Sequence, residues 1–222
     1  MNNKFSKLIT IIKWILNIGI INTLIFNIKY FGLKFYHFPV ILGRHVEFKE
    51  LKGKIICPNK FASVQIGISS IGIFADKVTY CTFQNTGNIT FGNNVKLLLG
   101  VKISNHGNLT IADNTYINSN TTIVCYKAIY IGKNCAISWN NLIMDSDLHN
   151  IYDKNGTIQN TQMEIVIGNH CWLCANVTIL KGVLLKNNVI VGANSCLTKG
   201  VFQENVIIKN NNVVKNNMAW KL

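Results

Sequence analysis

Between Ile167 and Phe202 one aliphatic side chain returns at every sixth residue: Ile167, Leu173, Ile179, Leu185, Val191 and Leu197. A second file, Val177, Val183, Val189, Ser195 and Val201, keeps the same step four residues behind the first. A step of six fits neither the turn of an α-helix nor simple strand alternation, so it marks a repeat architecture. The physical solution is a solenoid. Short flat strands each turn one aliphatic side chain inward, and the core forms only when coil stacks on coil, because a single unit cannot bury its own face.

The residues between the files support this. Gly92-Asn93-Asn94, Asp113-Asn114, Gly132-Lys133-Asn134, Gly168-Asn169, Asn187-Asn188 and Gly192-Ala193-Asn194 recur at matching phases. Tight corners require left-handed backbone angles, which Gly and Asn adopt at least cost. Upstream, the file returns at Ile89, Leu97 and Ile103, then at Ile111, Ile117 and Ile123, then at Ile131, Ile137 and Ile143. From Pro39 to Pro58 the pattern is strand-like and leads into the solenoid, and degenerate repeats follow from Gly67 to Thr82.

Two segments break the pattern. At Met144 the register stops, and Asp145 to Glu164 is polar and aperiodic until the repeat resumes at Ile165 or Ile167. A loop this long inside a solenoid points to function. At the other end, residues 1–36 are apolar and aromatic, with Lys4, Lys7, Lys13, Lys29 and Lys34 around them. A membrane-spanning helix needs ~20 mostly apolar residues; the stretch between Lys13 and Lys29 is short and holds Asn17, Asn22, Thr23 and Asn27. It reads as a helical arm that lies in a membrane interface, or caps the first coil, or does both.

Composition narrows the function classes. With 49% hydrophobic and 14% charged residues the chain is not disordered. The net charge of +13 favours anionic partners. Its lysines are scattered and no nucleic-acid motif accompanies them, which argues against nucleic acid. Seven cysteines without framework spacing fit reduced thiols in a cytoplasmic setting. Cys171 and Cys174 have the spacing of a metal or redox pair, but they fall in the hexad register with no second pair, and no metal is expected.

The loop opens Asp145-Ser146-Asp147-Leu148-His149. A histidine held out on a loop from a rigid prism can take a proton near neutral pH, and Asp147 could orient its ring. These motifs, with Ile167-Gly168-Asn169-His170-Cys171-Trp172-Leu173, Ile179-Leu180-Lys181-Gly182-Val183 and Val191-Gly192-Ala193-Asn194-Ser195-Cys196-Leu197-Thr198-Lys199, make residues from about 90 to 202 resemble the hexapeptide-repeat acyltransferases. The nearest likeness is to the maltose and galactoside O-acetyltransferases and the acetyltransferases of capsule and O-antigen synthesis. The resemblance implies an all-β, left-handed parallel β-helix, acetyl-CoA as co-substrate, and direct transfer to a sugar hydroxyl without an acyl-enzyme. It implies His149 as general base, cofactor contacts at Ala175, Ala193, Thr198 and Lys199, an acceptor contact at Asn118, and a homotrimer with sites between neighbouring prisms.

Three departures stand out. Trp-Ile-Gly becomes Trp172-Leu173-Cys174, Pro-Gly-Val becomes Lys181-Gly182-Val183, and the expected Gly-Asn-Pro-Ala-Lys after the last coil is Ile208-Lys209-Asn210-Asn211-Asn212. The expected organisation is an arm over 1–38, a β-helix over 39–207 and a capping tail over 208–222. The expected activity is sugar O-acetylation in surface-polysaccharide assembly, in the cytoplasm or at the inner membrane face. N-acetylation of a nucleotide-linked amino sugar and a non-catalytic scaffold are the alternatives. A carbonic anhydrase on the same solenoid would need two closely spaced metal-binding histidines, and His149 and His170 are too far apart to supply them.

Overall fold

The computed structural model describes residues 11–12, 14–69 and 79–221. Three stacks of short strands form the walls of a prism. The first wall climbs from Val40–Leu42 through Val95–Leu97 and Trp172–Leu173 to Val206–Lys209, and the second from Val46–Leu51 to Cys196–Leu197. The third runs from Lys54–Ile56 to Gly200–Phe202. Successive strands visit the three walls in turn, and within each wall every pair is parallel until the antiparallel hairpin Val206–Lys209 with Asn212–Asn216. The expected all-β parallel β-helix is the observed one.

The hexad files are the core. Ile103, Ile123, Ile143, Ile179 and Leu197 sit in register up the second wall. Ile117, Ile137, Leu173, Val191 and Ile208 do so up the first, and all of these side chains are buried. Each such aliphatic contributes roughly 1.5–3 kcal/mol on burial. The corners use left-handed residues as expected: Asn94, Asn114, Asn134 and Asn188 at one corner, Asn120, Asn140, Asn176 and Asn194 at another. His170 takes the place of an Asn in the first of these rows, with φ of 55° and its ring bonded to Asn188. Trp220 stacks on that ring at 4.5 Å and donates Nε1–H to the His170 carbonyl, which ties the tail to the prism.

The coils are not all alike. From Ile103 to Ile123 and from Ile123 to Ile143 the separation is 20 residues, whereas Ile179 lies 18 before Leu197. The extra pair falls at the corner between the second and third walls. There it adds one more inward position per coil: Asn85, Asn105, Cys125 and Asp145, all fully buried.

The arm packs over the first coil. Helix α1 (Ile20–Phe31) ends where Gly32 takes φ of 52° and its N–H returns to the Ile28 carbonyl. Phe26 enters the core against Tyr30, Phe48 and Phe83. Thr23 and Asn27, the residues that spoil a membrane span, face the solenoid. Asn27 pairs with both the N–H and the carbonyl of Val40, and Thr23 does the same for Leu42. These side chains stand in for a strand that would otherwise lie beside Val40–Leu42. Among the described residues no helix is long and apolar enough to cross a membrane.

Candidate active site

The strand Leu142–Met144 delivers the chain to Asp145, and the third wall is not rejoined until Ile165. In complete corners the next coil's backbone accepts the corner N–H groups: His106 and Gly107 both donate to the Cys125 carbonyl, and Asn108 to that of Lys127. One coil on, the chain has left for the loop, and the buried Asp145 carboxylate takes over. It accepts from the N–H of Tyr126 at 2.7 Å and from those of Lys127 and Ala128 at 2.8 Å. An acceptor-only group with two oxygens suits three donors, which explains a carboxylate in a file that otherwise holds Asn and Cys.

Beyond Asp145 the chain turns sharply. The N–H of Leu148 bonds to Ser146 Oγ, and Leu148 adopts φ of 63°, a costly conformation for a branched apolar residue. The turn leaves both Leu148 and His149 exposed. Of the five histidines, His149 alone has a ring that meets no hydrogen-bond partner or aromatic ring among the described residues. His106 bonds to Thr86 and Ser104, His170 to Asn188, and His37 and His45 lie against Tyr36 and Tyr80.

Asp147 does not hold that ring. Its Oδ2 lies 2.5 Å from Lys181 Nζ and 2.8 Å from Asn160 Nδ2, so the expected ring-orienting contact is replaced by a brace. The reason is stacking. Lys181 stands one coil above Asp145, since Met144 pairs with Leu180, and its ammonium draws the carboxylate away from the imidazole. Lys181 and Asn160 together hold the Asp147 carboxyl below the usual carboxylate range. Asn160 is the hub of the loop. It donates to the His149 carbonyl at 2.7 Å and accepts the N–H of Ile151 at 2.7 Å, while its own carbonyl accepts from Lys181. Asp147 reaches His149 only through the backbone, its carbonyl accepting the His149 N–H at 2.7 Å. Farther out, Asp153 closes the tip by accepting from the N–H groups of Asn155 and Thr157 and from Gln159.

The remaining sequence-predicted residues lie elsewhere on the prism. Ala175 and Ala193 stack one coil apart at the corner between the first and second walls, where Asn194 N–H donates to the Ala175 carbonyl at 3.0 Å. Asn118 opens the same corner farther down and is 9% exposed. Thr198 and Lys199 occupy the corner from which the loop springs, two coils above Asp145. Within one chain, therefore, His149 and the alanine strip belong to different corners. Thr198 N–H is already engaged, donating to Asn211 Oδ1 at 3.1 Å, while Cys196 N–H donates to Asn210 Oδ1. Cys171 is buried and Cys174 half-buried; among the described residues no group of three metal-binding side chains forms.

Lys181 and Asn160 are the functional candidates that sequence reading missed. The signal was the departure itself: a Lys where the resembled family has Pro, directly above the loop's first residue.

A prism of hexapeptide coils with a histidine on an inserted loop is similar in architecture to the hexapeptide-repeat transferases. Residues 164–199 match the bacterial transferase hexapeptide (six repeats) family. The chain is 29% identical over 140 residues to an Escherichia coli K12 protein provisionally named a lipopolysaccharide biosynthesis O-acetyl transferase, WbbJ, spanning 58% of this chain and 70% of that one. It is 38% identical over 102 residues to the polysialic acid O-acetyltransferase of Neisseria meningitidis, 41% of this chain and 47% of the relative. The crystal structure of the polysialic acid O-acetyltransferase OatWY superposes with a TM-score of 0.53 at 27% identity, covering 80% of this chain and 91% of that one. Named relatives and solved neighbour are alike acetyltransferases.

Proposed function

We propose that this chain transfers an acetyl group from acetyl-CoA to a hydroxyl of a sugar during surface-polysaccharide assembly, with His149 as general base. The observation that carries the reading is the exposed His149 imidazole, without a partner among the described residues, on a loop whose base and flank are braced by Asp145, Asp147, Asn160 and Lys181. His149 takes the acceptor's proton as its oxygen attacks the thioester carbonyl. The carbon–sulfur bond then breaks, and the departing thiolate recovers a proton. A thioester is already activated, so positioning and proton removal supply the acceleration without a covalent enzyme intermediate.

Ala175 and Ala193 offer a strip of small side chains along which a narrow pantetheine arm fits. At the loop corner, the exposed ammonium of Lys199 suits the phosphates of acetyl-CoA. The strip and the histidine lie at different corners of one prism, which favours a trimer whose neighbouring prisms complete each site, with Asn118 on the acceptor. Seven free thiols suit a reducing cytoplasm.

The test is acetyl-CoA binding by calorimetry and thiol release with sugar acceptors, in the native chain and in His149→Ala. Binding in both with turnover reduced about 100- to 10,000-fold in the variant supports the reading. Binding in neither would make the chain a scaffold. Faster release with amine than with hydroxyl acceptors would make it an N-acetyltransferase.

A further inference from the structure

Helix α1 is built inside out. Three of its polar residues, Asn22, Thr23 and Asn27, are spent on the first coil, and Phe26 fills the core beside them. What remains for the outside is a stripe of Ile20, Ile21, Leu24, Ile25 and Ile28, which are 73%, 73%, 39%, 59% and 48% exposed. Ile11, Ile12, Ile15 and Leu16 in the helical residues before it are also exposed, as are Leu33 and Tyr36 beyond Gly32. A largely apolar groove of about 380 Å³ opens at the same end of the prism, lined by Ile18, Ile20, Thr23, Leu24, Phe38, Ile41 and Phe61. An apolar helix face beside an apolar groove marks a contact surface, since water is a poor covering for it.

Charge selects the occupant. The first 46 residues carry six Lys or Arg and no Asp or Glu, the first acid being Glu47. Lys29, Lys34 and Arg44 are exposed at or near the margin of the stripe. A second copy docking here by a twofold axis would bring two such basic segments together, whereas an anionic headgroup layer neutralises them while its acyl region takes the aliphatic side chains.

We propose that α1 lies in the plane of an anionic lipid surface, its outward face buried at the headgroup–acyl boundary, and holds the prism against that surface by its first coil. The helix is too short to span and its inward face is already committed, so it rests on the bilayer. This assignment is independent of the proposed catalysis.

The experiment is co-sedimentation of the full chain with phosphatidylcholine vesicles, with and without phosphatidylglycerol, alongside the double variant Ile21→Glu/Ile25→Glu and the charge variant Lys29→Gln/Lys34→Gln. Both pairs of side chains point outward, so the variants should melt with the native chain. The native chain should partition onto phosphatidylglycerol vesicles far better than onto phosphatidylcholine alone. The double Glu variant should lose about 100-fold in partition, and the charge variant about 10-fold with a weaker dependence on salt. Equal sedimentation of native and double Glu chains, or none with anionic vesicles, would overturn the proposal. So would a double Glu variant that keeps its vesicle binding while its sedimentation coefficient in lipid-free buffer falls, because the face would then be a contact between copies.

Discussion

Replacing Asp145 by Asn tests whether a side chain can stand in for a missing coil. The carboxylate is fully buried and accepts three backbone N–H bonds, at 2.7, 2.8 and 2.8 Å. Hydrogen bonds to a charged group contribute about 1.5–3 kcal/mol each. The Asn oxygen can keep the bond from Tyr126, but its amide NH₂ then confronts the N–H groups of Lys127 and Ala128, donor against donor. Two lost bonds amount to roughly 3–6 kcal/mol; relief from burying a charge returns part of this, leaving about 2–4 kcal/mol. For a chain of this size that corresponds to a melting temperature lower by about 5–15 °C at fixed protein concentration. Hydrogen exchange localises the effect, with protection at residues 126–128 falling about 30- to 1,000-fold while the far coils stay protected. Asp145→Ala should be at least as damaging. If Asp145→Asn melts within about 1 °C of the native chain and leaves those amides protected, the carboxylate is not replacing backbone acceptors and the reasoning fails.

Two further outcomes follow from the brace and from the thiols. Lys181→Met removes an ion pair at the prism surface whose carboxylate is exposed and whose lysine is half-buried; such a pair contributes about 1 kcal/mol, so the melting temperature should move by only a few degrees, while turnover falls about tenfold as the loop carrying His149 loosens. Because Lys181 and Asn160 lower the Asp147 carboxyl in the folded chain, the brace is intact above the unfolded value of about 4 and is lost as pH falls through the lowered one; in Lys181→Met the acid limb of the rate profile should begin at higher pH. Burial pushes the thiols of Cys57 and Cys125 up to about 12 and that of Cys81 up to about 11, whereas Cys196 is exposed. A disulfide reagent at mildly alkaline pH should therefore label Cys196 first, the buried thiols reacting only on unfolding, as time-resolved mass spectrometry would show.

The parts of the fold legible in sequence are those that a period reports. The files from Ile103 to Leu197 point inward because hexad phase and inward direction are the same fact, and the stop at Met144 marks the loop because losing phase means leaving the wall. Bonds between coils carry no such local signal. Asn160 and Lys181 lie 21 residues apart and meet only because the loop folds back and the next coil rises above Asp145. The step of eight from Ile103 to Ile111 looks like a slip in the repeat, yet it adds the buried position held by Asn85, Asn105, Cys125 and Asp145. Thr23 and Asn27 were misleading in another way. Polar residues in an apolar helix argue against a membrane span, but nothing local says that they turn toward the protein and leave the aliphatic side outside.

Asp145 is one of three answers to a single problem, a strand edge without its next coil. At the bottom, Thr23 and Asn27 satisfy Leu42 and Val40; at the loop, Asp145 satisfies residues 126–128; at the top of the second wall, Asn210 and Asn211 satisfy the N–H groups of Cys196 and Thr198. In each place a short polar side chain imitates the backbone that a further coil would have offered, and the edge is closed against pairing with another chain. The top edge bears on the proposed chemistry. Asn211 also donates to Thr198 Oγ1 at 3.0 Å, so the N–H and the hydroxyl oxygen of that residue are both engaged. A pantetheine arm using the Thr198 N–H must first displace the Asn211 amide, whereas one running along Ala175 and Ala193 need not. The substitution of Asn210-Asn211-Asn212 for the tail of the resembled family thus shifts the expected cofactor contacts toward the alanine strip and Lys199, and away from the backbone of Thr198.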